Sequence, residues 1–160
     1  MSEPQSPQEP TSEIATARGE TVRQFSVFLE NRAGALLGVV RLINESLAEV
    51  LGVSVQDSVD GTVVRLVVSD PDTVETLFME KGIAYSNVDV VVVELREAAD
   101  FGACLAELLV AETNTHFCYP LLCRPNDRPV LAFCLEDNDF GISVLNQGGF
   151  KLLCQGDLSR

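Results

Sequence analysis

Asp70-Pro71-Asp72 follows a β-branched run and precedes a helical pattern, and Asp137-Asn138-Asp139 stands in the same setting 67 positions later. Two more landmarks keep nearly that interval. Gly82 and Gly149 are 67 apart, and Gly34 and Gly102 are 68 apart. A chain that repeats its start and stop signals at one spacing is built from two copies of one unit.

The first copy spells out the plan. Phe25, Val27 and Leu29 alternate with Gln24, Ser26 and Glu30, which predicts a strand over 24–30 buried on one face. Leu36, Val39, Val40 and Ile43 recur at helical spacing, giving a helix over 33–44. A second strand is expected over 47–57, with Leu47, Glu49, Leu51, Val53 and Val55 on one face. Asp60-Gly61 signals a hairpin into the β-branched strand 62–69. Asp70 as N-cap and Pro71 in the first turn open a helix whose buried face is Val74, Leu77 and Phe78, and Gly82 ends it. The run Ile83–Leu95 is a central strand.

The second copy repeats the order. A helix over 101–113 carries Leu105, Leu108 and Leu109, and strands 115–123 and 129–135 flank a turn at Pro125–Arg128. Val144 and Leu145 stand for Leu77 and Phe78, and Phe150–Leu153 forms the closing strand. Each copy is therefore strand–helix–strand–strand–helix–strand. The fold class is α+β: two ferredoxin-like βαββαβ units with antiparallel sheets and helices on one face. No separate first strand precedes the second copy's helix, so the strand over 83–95 finishes one unit and starts the next. The expected domains are 22–89 and 90–160. Residues 1–21, rich in Glu, Pro, Ser, Gln and Thr, read as a disordered tail.

Charge narrows the function. With 24 acidic against 11 basic residues, the net charge is −13, the wrong sign for nucleic acid and for an anionic membrane surface. No apolar run approaches the roughly 20 residues of a membrane span, and the N-terminal stretch lacks the apolar core of a secretory signal. The odd number of cysteines, five, fits a reduced, cytoplasmic setting.

No constellation supports catalysis. His116, the single histidine, has no nucleophile or further ligand beside it in the sequence, and reads as a strand-edge residue. The cysteines lie at 104, 118, 123, 134 and 154 without a CxxC pair and read as small buried hydrophobes. Glu136, Asp137 and Asp139 read as a cap and a solvated turn. The expectation is no catalytic residue, no metal, no cofactor and no enzyme. What remains is a binding site. Gly34 and Ala35 leave the first helix turn without bulk, and unpaired backbone N–H groups with the helix dipole suit a carboxylate. The plainer account is that Gly34 lets the helix approach the sheet while Asn31 caps it.

The segment Leu29–Val40, L-E-N-R-A-G-A-L-L-G-V-V, with V-V-S-D-P-D at Val67–Asp72 and the order of both copies, resembles the ACT family of small-molecule-binding regulatory domains. It is similar in particular to proteins made of two such units. The resemblance implies amino-acid binding without catalysis, at the strand–helix loop and an interface between units. It implies a ligand site at Glu30, Asn31, Arg32, Ala33, Gly34, Ala35 and Leu36. A facing wall comes from Glu49 or Phe117 on the second strands. The second copy's loop departs from the pattern but offers Asp100, Phe101, Gly102 and Ala103. The implied partners are a free amino acid, an enzyme of amino-acid metabolism and a second copy in a homodimer. The alternative is a ligand-free interaction or oligomerisation module that pairs through a sheet edge, favoured by the departing second loop and by unusually apolar strands such as Val90–Val93.

Overall fold

The computed structural model describes residues 21–159. The elements are β1 (Thr21–Leu29), α1 (Ala35–Glu45), β2 (Val50–Ser58), β3 (Gly61–Val68), α2 (Pro71–Lys81) and β4 (Tyr85–Glu94). Then follow α3 (Asp100–Val110), β5 (Thr115–Pro120), β6 (Val130–Leu135), α4 (Asn138–Gln147), β7 (Lys151–Leu153) and α5 (Gln155–Leu158). The expected tail falls outside the described residues except for Thr21, which already belongs to β1.

The strands form one antiparallel sheet in the order β2-β3-β1-β4-β6-β5, with β7 also on β4. β4 is the pivot. Tyr85–Val91 pair with β1, Val91–Glu94 pair with β6, and Val92–Glu94 pair with β7 on the other side. One long strand thus serves two four-stranded groups, β2-β3-β1-β4 and β7-β4-β6-β5. Both have the ferredoxin-like order. The free edges of the series then meet. Gly52 bridges Leu121, and the Leu122 N–H donates to the Leu51 carbonyl at 2.7 Å. A Cβ on Gly52 would run into the Leu121 side chain, which would have to shift to admit it. Meeting edges leave fewer unpaired N–H and C=O groups to recruit another chain.

Closure gives three cores rather than two. Phe25, Val27, Val39, Ile43, Leu66, Val74 and Phe78 pack α1 and α2 on the first sheet group. Val91, Val93, Cys104, Leu108, Phe133 and Leu145 do the same for α3 and α4. Between the groups lies a third set that includes Val22, Leu51, Val67, Val90, Val92, Tyr119, Leu121 and Leu153. The expectation that β1 is buried on one face only is therefore corrected. Gln24 is wholly buried and Ser26 nearly so, because the second unit covers the side that alternation assigns to solvent.

Other expectations are also corrected. The β2 face is not continuous: a bulge between Val50 and Gly52 sends Leu51 to the inter-sheet core and Val53 to the helix side, while Leu47 is exposed. On α3 the buried stripe is Cys104 and Leu108, with Leu105 and Leu109 outside. Cys104 alone among the five cysteines is fully buried, Cys118 is exposed, and Cys154 lies not on a strand but at the N-cap of α5. The short helix α5 has no forerunner in the sequence reading.

The repeated acidic signals act as expected. Asp70 Oδ1 accepts from the Thr73 N–H at 3.2 Å, and Asp137 Oδ1 accepts from the Phe140 N–H at 3.0 Å. Asp137→Ala is expected to lower stability by about 1 kcal/mol in urea denaturation. A pH dependence follows from Cys104, whose thiol burial pushes up from 9.0 to about 11, with repulsion from Cys118 and Glu107 adding to it. A raised value means that the fold favours the neutral thiol. That contribution is intact below pH 9 and fades as pH rises from 9 toward 11. The urea midpoint of the wild type should fall across that window, and by less in Cys104→Ala.

Candidate functional site

The chain leaves β1 at Leu29 and turns through Glu30–Gly34 into α1. Arg32 N–H donates to the Glu30 carbonyl at 2.8 Å, and Ala35 N–H reaches the Arg32 carbonyl at 3.4 Å. Gly34 sits at the helix N-cap with φ 84°, in the left-handed region that favours glycine. A Cβ there would meet nothing within 4 Å. Gly34 is therefore needed for its backbone angle and not for close approach to the sheet. Asn31 does not cap the helix, because no side chain does, and the first turn of α1 carries no acidic residue. The contrast with α2 and α4, each closed by an aspartate, is plain. Beyond the Ala35 N–H, which the Arg32 carbonyl takes up, this end of α1 has no side chain to compensate its donors and dipole.

The same turn opens on a cleft of about 670 Å³. Glu30, Arg32, Gly34 and Ala35 form one rim, Phe28, Leu29, Val39 and Leu42 the apolar floor, and Gly82, Ile83 and Ala84 the opposite rim. Gly82 ends α2 at φ 67°, and Phe28 N–H donates to the Ala84 carbonyl at 3.0 Å, fixing the far rim against β1. Arg32 Nε and Glu30 Oε2 lie 3.6 Å apart, both well exposed. Such an exposed pair is weak and free to reorganise around a ligand. Asn31 and Ala33 are exposed outside the lining, and Leu36 packs into the first helix–sheet core.

The second copy does not repeat this arrangement. Helix α3 begins at Asp100, with Ala99 at its N-cap in a right-handed conformation. The buried pairs Val39/Ile43 and Cys104/Leu108 match at an offset of 65, which makes Ala99 the counterpart of Gly34. Gly102 is then the third residue of the helix, with an ordinary φ and open space beside it. Phe101 packs into the core under α3 and α4, its ring centroid 6.4 Å from that of Phe133. Asp100 Oδ2 accepts from Arg96 Nε at 3.3 Å and places a carboxylate at the helix start. An anion arriving there meets one already in place.

Neither facing-wall candidate reaches the Gly34 cleft. Leu29 pairs with Thr62 at one end of the sheet, whereas β2 begins opposite Val68 at the other. Glu49 precedes β2, so it sits at that far end, where its N–H donates to Ser69 Oγ at 2.8 Å. Phe117 lies between the sheets, stacked on Tyr119 at 6.3 Å with the Arg65 guanidinium 4.0 Å above its ring. Tyr119 Oη donates to Gln24 Oε1 at 2.6 Å, and Gln24 Nε2 donates to Ser26 Oγ at 3.1 Å. This polar layer escaped the sequence reading, since only β1's tolerance of Gln24 and Ser26 beside apolar neighbours hinted at it.

Comparison with known proteins agrees with the fold. Residues 20–154 match the family model described as an ACT domain pair. The chain belongs to the ACT family. Among solved structures, this ACT pair is similar to protein BT0572 from Bacteroides thetaiotaomicron, at 22% identity and TM-score 0.80, covering 88% of this chain and 97% of that one. It is also similar to the ligand-free regulatory subunit of aspartate kinase from Thermus thermophilus, at 8% identity and TM-score 0.55, with 82% and 91% covered. Aspartokinase alpha and beta subunits follow at 12% identity and TM-score 0.54, with 82% and 93% covered. At such identities the likeness concerns the fold. No curated protein matches the ACT pair. Among the described residues no helix is long and apolar enough to cross a membrane.

Proposed function

We propose that this ACT pair is a regulatory sensor that binds a free amino acid in the cleft beside Gly34. The observation that carries the reading is the uncapped N-terminus of α1 opening onto a cavity of about 670 Å³. The α-carboxylate would rest on the N–H groups of the first turn beyond Ala35, whose own N–H already reaches the Arg32 carbonyl, where charge and donors act together. The ammonium group would face Glu30, displacing its exposed contact with Arg32, and the side chain would lie on Phe28, Leu29 and Leu42. Asp100 already occupies the equivalent position in the second copy, which leaves one such site per chain. Signalling would run through differential affinity for two arrangements of the chain and its partners. A second copy in a homodimer and an enzyme of amino-acid metabolism are the partners that suit this role, in the cytoplasm.

A thermal-shift screen of the twenty amino acids tests the proposal. One of them, at 100 times its dissociation constant, should add about 2.7 kcal/mol of stability. Gly34→Val should remove that response while the unliganded variant still folds, since the cost is local strain at φ and a Cβ there meets nothing within 4 Å. A flat response to all twenty, with an unchanged ligand-independent oligomer, would instead support the interaction module.

A further inference from the structure

We propose a second ligand site, at the opposite end of the sheet, that takes a zwitterionic α-amino acid between Glu49 and Arg124. The site is a cleft of about 560 Å³ lined by both units: Glu49, Leu51 and Ser69 from the first, and Cys123, Arg124 and Leu158 from the second. Among the described residues it holds one carboxylate, Glu49, and one guanidinium, Arg124. Neither makes an ion pair with a described residue, although both stand on the same cavity. Opposite charges held apart across a partly apolar cleft match a molecule that carries the same two charges on one carbon. The guanidinium fork suits the ligand carboxylate, and Glu49 suits its ammonium. Leu51, Leu158 and Pro125 leave apolar room for a short side chain.

The walls are fixed before any ligand arrives. Leu122 and Cys123 N–H groups both donate to the Leu51 carbonyl, at 2.7 and 3.3 Å. From α5, Gln155 Nε2 donates to the Val68 carbonyl at 2.9 Å, and Ser159 Oγ donates to the Ser69 carbonyl at 2.6 Å. Those bonds join the two units at the cleft itself, so occupancy would bear on how firmly the sheet is closed. The site is independent of the Gly34 cleft, since the two lie at opposite ends of β1 and share no lining residue.

Cys123 provides a local probe. Its thiol is half-buried and burial pushes it up, so iodoacetamide labelling is run at mildly alkaline pH and followed peptide by peptide by mass spectrometry. The exposed Cys118 is the internal control. With each of the twenty amino acids in turn, at least one should slow Cys123 labelling, about tenfold at ten times its dissociation constant, and leave Cys118 unchanged. Protection should vanish in Glu49→Gln and in Arg124→Gln, both exposed and tolerant of change, and persist in Gly34→Val. Absence of protection by every amino acid, or protection that survives either charge substitution, overturns the proposal. Loss in Gly34→Val alone would assign the effect to the other cleft and overturn it equally. Failure of the Gly34 reading is seen separately, as the absence of any amino acid whose thermal response Gly34→Val abolishes.

Discussion

Tyr119→Ala is expected to destabilise the protein more than any other single truncation between the sheets, by the sum of two effects. Removing a buried ring costs about 3–5 kcal/mol through lost transfer free energy and the cavity left behind. The hydroxyl adds its own share, because Gln24 Oε1 loses a 2.6 Å donor and stays wholly buried. An unsatisfied buried acceptor costs about 1–3 kcal/mol. Tyr119→Phe separates the two: it keeps the ring and should lose only the second amount. If Gln24→Leu is combined with Tyr119→Phe, the double variant should recover part of that loss, since the orphaned Gln24 Oε1 is gone and only Ser26 Oγ gives up a donor. Urea denaturation of the three variants measures all of these values. Equal stability of Tyr119→Phe and wild type would show that the bond across the sheets contributes nothing.

The same bond marks the boundary of what the sequence could say. Local signals were legible wherever one segment fixed its own geometry. Asp70 with Pro71, Asp137, and Gly82 are caps whose chemistry acts over three residues, and each does in the structure what its residue type requires. The ferredoxin-like order was legible for the same reason, as was the double use of Ile83–Leu95, forced by a missing strand. Closure of the sheet was not. It depends on Gly52 meeting Leu121, two positions 69 residues apart whose contact no period records. Once the edges meet, both faces of β1 are buried, and the alternation that normally separates core from solvent separates two cores. The Gly34–Gly102 interval misled because residue type was matched without helix phase. Phase follows the buried residues Val39 and Ile43 against Cys104 and Leu108, which place Gly102 inside a helix. In the candidate site, the part legible beforehand was the loop itself, because glycine at a helix start has a backbone reason. The rims from Gly82–Ala84, and the separation of Glu49 from that loop, come from tertiary register.

Phe25→Ala should lower stability by about 3–5 kcal/mol, and the shape of the transition it produces is as informative as its size. Phe25 is fully buried at the centre of an aromatic cluster, with ring centroids 5.4 Å from Phe78 and 5.7 Å from Tyr85, both edge-on. Its contacts lie within the first helix–sheet core, so a chain of two independent units would lose only the first. Three features argue otherwise. β4 belongs to both four-stranded groups, the inter-sheet core draws on both, and α5 bonds to the end of β3. Unfolding the first unit alone would strip the second of its covering face and expose Val90, Val92 and Tyr119. The chain has two tyrosines and no tryptophan, with Tyr85 reporting on the first core and Tyr119 on the space between sheets. In Phe25→Ala, tyrosine fluorescence and circular dichroism should shift to lower urea together, in one transition. Separate midpoints would mean that the shared strand does not couple the two units.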